Sequence, residues 1–269
     1  MNSSSNSLAI TLKERVVIVT GGSEGIGAGI AKCAASCGAK VAIFSRDEEE
    51  MKATVKEIES AGGEAIWLAA DVSKSAEVAS AVKQVVKRWG RIDCLVANAG
   101  INGTWAPVDE LSPEDWQKTI EVNLTGTYLC IHHSVPELRN AGGGSIVIIS
   151  SINGTRTFSN EGASAYAASK AGQLALGKML ALELAPSKIR VNVICPGAIE
   201  SEIHDKTQRE NLDRIETPVV FPEGNIPLTG GQMGKPQQVA ELTAFLLSDL
   251  ASPITGTPGW IDGGQSLIV

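Results

Sequence analysis

The feature that most constrains the fold is a regular alternation of short apolar runs with longer segments of helical period. The apolar runs fall at residues 15–20, 40–45, 64–69, 92–97, 145–150, 189–195 and 259–261. Helical period is predicted at 25–37, 47–61, 75–89, 113–140, 163–185 and 236–247. The strand candidates are almost continuously apolar, as strands are when helices cover both faces of their sheet. Alternation of this kind implies right-handed crossovers and a parallel, doubly wound α/β sheet. No linker interrupts it, because the glycine-rich 140–144 reads as a helix stop leading into a strand. We therefore expect one domain over residues 1–269, with a flexible N-terminus at 1–10. A Gly- and Pro-rich insert at 202–235 is long for a loop and is expected to form a substrate lid.

Composition removes several alternatives. With 23 Lys and Arg against 30 Asp and Glu, the net charge is −7, and no polybasic run interrupts it. That argues against nucleic acid or an anionic membrane as the main partner. Five cysteines, none in a CxxC spacing, argue against both a disulfide framework and a zinc site, so no metal is expected. The Ser- and Asn-rich N-terminus lacks the basic and apolar regions of a signal peptide. No apolar stretch approaches the ~20 residues of a membrane span. The expected location is the cytoplasm.

Directly after the first strand candidate stands Thr20-Gly21-Gly22-Ser23-Glu24-Gly25-Ile26-Gly27. Glycines here let the chain turn sharply and bring backbone N–H groups up to a pyrophosphate at the positive end of the next helix. The spacing is GxxxGxG rather than GxGxxG, so the placement between strand and helix carries the reading. The second strand candidate ends on Ser45-Arg46. A NAD site commonly presents a carboxylate there to the adenosine ribose, whereas arginine pairs with a 2′-phosphate. Arg46 thus favours NADP(H), with NAD(H) as the alternative. Glu24 works against a phosphate unless a neighbouring cation neutralises it.

The chain has only two tyrosines, and one of them, Tyr166, lies four residues before Lys170, so the two share one helix face. An ammonium beside a phenol favours the phenolate and brings an otherwise weak acid–base group toward a useful range. Ser151 follows the fifth long strand candidate at the carboxyl edge, where ligands of doubly wound sheets bind. Its hydroxyl could steady a carbonyl oxygen that gains negative charge. Asn98-Ala99-Gly100 closes the fourth strand and would line the same cleft. Asn123 is a polar residue in an apolar helical stretch, read either as a satisfied buried amide or as a holder of water in a proton path.

Together with Asp71-Val72, Pro196-Gly197 and Asp262-Gly263-Gly264, these residues stand in an order that resembles the short-chain dehydrogenase/reductase family, in its 3-oxoacyl-reductase-like branch. The resemblance implies a Rossmann fold with seven parallel strands in the order 3-2-1-4-5-6-7, and often a homotetramer. It implies Tyr166 as general acid/base, Ser151 as the carbonyl-polarising group, and Lys170 as the group that lowers the Tyr166 pKa and holds the nicotinamide ribose. It also implies Asn123 in a water relay, Asp71 and Val72 at adenine, and Ile199 and Ser201 at the carboxamide. The chain departs from the family in three places. Tyr166 follows Ser151 by fifteen residues, about two more than usual, which places an insertion within 155–162. Glu24 replaces a basic or small residue, and Ser201 replaces threonine.

The activity so implied is NADP(H)-dependent hydride transfer between nicotinamide and a carbonyl or secondary alcohol, with a small molecule as partner. The nearest rival is an NAD-dependent alcohol, sugar or hydroxysteroid dehydrogenase. A rival of another class is a non-catalytic, nucleotide-sensing protein on the same fold. The apolar stripe Leu174, Leu176, Met179, Leu180, Leu182 and Leu184 exceeds what one helix face buries, and the resemblance implies that this helix packs against a partner subunit.

Overall fold

The computed structural model describes residues 9–157, 160–201, 203, 206–217 and 226–268. Most of the expected N-terminal tail and parts of the 155–162 insertion and the 202–235 insert lie outside the described residues. Seven strands form one parallel sheet: β1 (Val16–Thr20), β2 (Lys40–Ser45), β3 (Glu64–Ala69), β4 (Cys94–Ala97), β6 (Gly144–Ile149), β7 (Ile189–Pro196) and β9 (Pro258–Ile261). Their order is β3-β2-β1-β4-β6-β7-β9, as the resemblance implies. The order reverses between β1 and β4, where a doubly wound sheet leaves a crevice at its carboxyl edge.

Both faces of the sheet are covered, which is why its central strands are apolar throughout. Val17, Val19, Val41 and Ile43 pack on one side, with α1 (Gly25–Ser36), α2 (Glu48–Ser60) and α7 (Pro236–Leu247). Val16, Ile18, Ala42 and Phe44 pack on the other, with α3 (Ser75–Trp89), α5 (Gly126–Asn140) and α6 (Ser164–Leu184). Ser112 caps the remaining helix, α4 (Pro113–Ile120), by accepting from the Asp115 N–H at 3.0 Å.

Two features differ from the expected pattern. The long helix predicted over 113–140 is broken between α4 and α5 by a π-helical turn at Glu121–Thr125. The 202–235 insert is not wholly irregular. Its strand β8 (Gln208–Arg209) pairs in parallel with β5 (Thr104–Trp105), forming a second small sheet beside the crevice. Arg214 adds ion pairs to Glu110 and, at 3.6 Å, to Asp109. Among the described residues no helix is long and apolar enough to cross a membrane.

Candidate active site

The glycine loop leaves β1 at the crevice and opens α1. Gly21 takes a positive φ of 61°, which favours glycine. Asn98 at the end of β4 locks the turn, its Nδ2 donating to the carbonyls of Thr20 and Gly21 at 3.0 Å each. The N–H groups of Asn98 and Ala99 both donate to Thr20 Oγ1 at 3.1 Å. Gly27 is required for a different reason. A Cβ there would stand 2.0 Å from the Gly21 carbonyl oxygen, so loop and helix could not approach as they do. Gly27→Ala is expected to cost about 1–3 kcal/mol of stability and to weaken nucleotide binding. Thermal unfolding and nucleotide titration check both.

Glu24, the N-cap of α1, makes no side-chain cap bond, and the first turn carries no acidic residue. The first N–H groups of the helix are thus uncapped by a side chain and suit an anion. At the end of β2, Ser45 Oγ meets Ser23 Oγ at 3.2 Å, and Arg46 is exposed along the cavity edge. The next acid, Asp47, is committed to capping α2, accepting from the Glu50 N–H at 3.0 Å. Burial opposes ionisation of Asp71. Hydrogen bonds from the Ser73 N–H and hydroxyl, helped by nearby Arg46, nevertheless hold its carboxyl below the usual range. Glu24 is neutralised by a residue the sequence did not suggest. Lys206 from the insert reaches both carboxylate oxygens, at 2.6 and 2.8 Å.

Ser151 lies just beyond β6. Its Oγ accepts from the Asn153 N–H at 3.1 Å, so its proton is free to donate. Tyr166 stands in the first turn of α6 and Lys170 one turn on, with Nζ 5.5 Å from the phenol ring centre. Lys170 is 4% exposed, and Nζ donates to the Ile149 carbonyl at 3.0 Å. Burial drives its pKa down to about 8, against an opposing pull from Cys195. The expected lowering of the Tyr166 pKa is not what the structure shows. Burial pushes the phenol above its ordinary value, and the hydrogen bond with Ser151 only partly offsets it.

Of the two readings of Asn123, the structure shows the satisfied buried amide. Its Oδ1 accepts from the Ile101 N–H at 2.8 Å, and its Nδ2 donates to the Ile101 carbonyl at 2.9 Å and Ser169 Oγ at 3.0 Å. Its own carbonyl accepts from Gln173 Nε2 at 2.8 Å and Thr127 Oγ1 at 2.7 Å. Both Nδ2 protons are thus used within the protein, and Asn123 clamps the chain after β4 to the π turn.

One cavity of about 380 Å³ gathers the remaining sequence-predicted residues. Gly21, Ser23, Glu24, Gly25, Ile26 and Gly27 line it beside Ser45, Arg46, Asp71, Val72, Asn98, Ala99 and Gly100. Ser151, Tyr166, Lys170, Pro196, Gly197, Ile199 and Ser201 complete that set, and Asn123 alone lies outside. The sequence did not single out Asn102, Asn153, Asn160 and Lys206, nor Gln265 from a short 3₁₀ helix at Gln265–Leu267, all of which line the cavity. The unusual Ser151-to-Tyr166 spacing pointed toward Asn160, and the 202–235 insert toward Lys206. Among the described residues no group of three His, Cys, Asp or Glu could hold a metal ion. An uncapped helix N-terminus, a glycine cradle and hydroxyls along one cleft fit a pyridine dinucleotide.

Fold and cavity define the class: a Rossmann-type, nucleotide-binding oxidoreductase. The family model described as enoyl-(acyl carrier protein) reductase matches residues 21–266. The chain belongs to the short-chain dehydrogenase/reductase family. It is 38% identical to 3beta-hydroxysteroid dehydrogenase 1 of Eggerthella lenta over 258 residues, covering 95% of each chain. A solved 3-ketoacyl-ACP reductase from Sinorhizobium meliloti 1021 is 49% identical with a TM-score of 0.91, covering 94% of this chain and 99% of that one. A 3-ketoacyl-(acyl-carrier-protein) reductase from Brucella melitensis, complexed with NADH, is 33% identical with a TM-score of 0.83. That likeness covers 95% of this chain and all (100%) of the other. The protein is accordingly an enzyme acting on CH–OH or C=O groups with a nicotinamide cofactor.

Proposed function

We propose that the protein is an NADP(H)-dependent oxidoreductase of ketones or secondary alcohols, with Tyr166 as general acid/base. The observation that carries this reading is the convergence of Ser151, Tyr166 and Lys170 on the cavity that also holds the glycine loop and Arg46. The nicotinamide supplies or takes up the hydride. Tyr166 donates its phenolic proton to the substrate oxygen in reduction, and its raised pKa keeps that proton in place at neutral pH. Ser151 donates to the same oxygen as charge builds. Lys170 uses the N–H groups not given to Ile149 to hold ribose hydroxyls.

The depressed Lys170 pKa sets an expected pH dependence. Below about 8 the ammonium is intact, and above it the charge is lost. The kcat/KM for reduction is expected to be level below that pH and to fall above it, and a pH–rate profile checks this. In Lys170→Arg the limb is expected to move beyond the measurable range, because guanidinium does not deprotonate there. A wild-type profile that stays flat to high alkaline pH would remove Lys170 from this role.

NADP(H) is favoured because Arg46 lies at the cavity edge, Asp47 is committed to a helix cap and Lys206 offsets Glu24. The NAD(H) reading keeps support from the Brucella melitensis relative, which is complexed with NADH. Binding titrations with both nucleotides separate the two. The 202–235 insert acts as a substrate lid in this reading, anchored by the β5–β8 pair. Met179 and Leu182 on α6 are 71% and 81% exposed, which supports burial against a second copy in a homotetramer. A cytoplasmic setting agrees with five free cysteines.

A further inference from the structure

A second cavity, of about 360 Å³, adjoins the first, and Asn153 and Asn160 line both. The two side chains meet there, Asn153 Nδ2 donating to Asn160 Oδ1 at 3.1 Å. Beyond them the wall is mainly apolar, with Ala106, Pro107, Val108, Ala163, Ala167 and Ile215. The carboxylate in that wall, Asp109, pairs with Arg214 at 3.6 Å, so little unbalanced charge faces the space. Ser164 adds a single polar group, a buried Oγ with no hydrogen-bond partner among the described residues. Its volume falls in the usual range for small-molecule sites, about 300–1,000 Å³.

The chamber is held by fixed elements. Gly162 sits against the Trp105–Ala106 backbone, its carbonyl accepting from the Ala106 N–H at 3.2 Å. Ile215 is carried on the segment that β5–β8 pairing and the Arg214 ion pairs tie down. Asn153 and Asn160, which line both spaces, place the chamber next to the cavity that holds Tyr166.

We propose that the carbonyl site continues past the Asn153–Asn160 pair into this chamber, which holds the apolar limb of an extended ketone or secondary alcohol. The inference rests on the carbonyl chemistry proposed above and narrows its substrate class. Small, wholly polar substrates such as free sugars would leave the apolar wall wet and gain nothing from it. A limb of several carbons would fill it, with one oxygen allowed near Ser164.

The test compares 2-butanone with 2-octanone, which share a methyl ketone head and differ by four methylenes. Each methylene buried is worth about threefold to fourfold in affinity, so for four of them a ratio of roughly 80-fold or more in kcat/KM is expected for wild type. Ile215→Trp, which fills the chamber, is expected to cut that ratio below about fivefold. Val108→Trp, at a position already 82% exposed, replaces it where the first variant does not fold. Calorimetric binding of both ketones to nucleotide-free protein gives a readout independent of turnover. Equal kcat/KM for the two ketones, or a preference that neither variant reduces, overturns the chamber and leaves the carbonyl chemistry standing. A binding preference abolished by tryptophan, without turnover of either ketone, upholds the chamber and overturns the chemistry assigned above.

Discussion

Tyr166→Phe is expected to lower kcat/KM for carbonyl reduction by about 10²–10⁴-fold, the usual contribution of a positioned acid–base group. Nucleotide affinity should change far less, because the glycine loop, Asn98 and the α1 N-terminus are untouched. The substitution removes one hydroxyl from a partly buried ring and leaves the apolar body of the side chain in place. A folding defect therefore does not mimic the loss, and an unshifted unfolding temperature documents that. The separation matters, since Tyr166 faces both Ser151 and Lys170. Loss of turnover with retained binding assigns it to proton transfer. Wild-type turnover in the variant would exclude it from that role.

Arg46→Ala is expected to weaken NADPH binding by about 10–100-fold while leaving NADH within about threefold, the range for losing a charge-assisted hydrogen bond. The guanidinium is exposed, with Asp71 near enough to attract it. Glu24 does not impose the repulsion its position first suggests. Lys206 already engages both its oxygens, so the loop presents a closed ion pair rather than a bare carboxylate. Fluorescence titration of the two nucleotides reads the selectivity. Equal losses for both would show Arg46 acting as a general attractant for phosphate, and no loss would favour the NAD(H) alternative.

Much of the scaffold was legible because two-sided burial writes itself into local composition. The runs at 40–45 and 64–69 match β2 and β3 without adjustment; β2 is buried through its four central residues, whereas β3, at the sheet edge, buries only Ala65. The elements that went unseen are those set by distant partners. Nothing in the period of 113–140 signals the π turn, which coincides with the bonds of Asn123 to Ile101 and Gln173. The β5–β8 pair joins two-residue strands over a hundred positions apart, too short for any local pattern. The Glu24–Lys206 pair likewise spans a separation of 182 residues. The spacing of Tyr166 and Lys170 made their neighbourhood visible but not their titration. Desolvation depends on what covers them, and it moved the phenol up and the amine down. The second chamber lay hidden for the same reason, its walls coming from four separated stretches of chain.

The most direct test of the account uses NADPH carrying deuterium at both C4 positions, mixed with an equal amount of unlabelled NADH and a methyl ketone. Mass spectrometry of the alcohol product then reports which nucleotide supplied the hydride, whatever the stereochemistry at nicotinamide. Deuterium on the carbinol carbon of most product molecules is the expected result for wild type, with product formation largely lost in Tyr166→Phe. Alcohol formed without deuterium, or formed equally well by the variant, would contradict it.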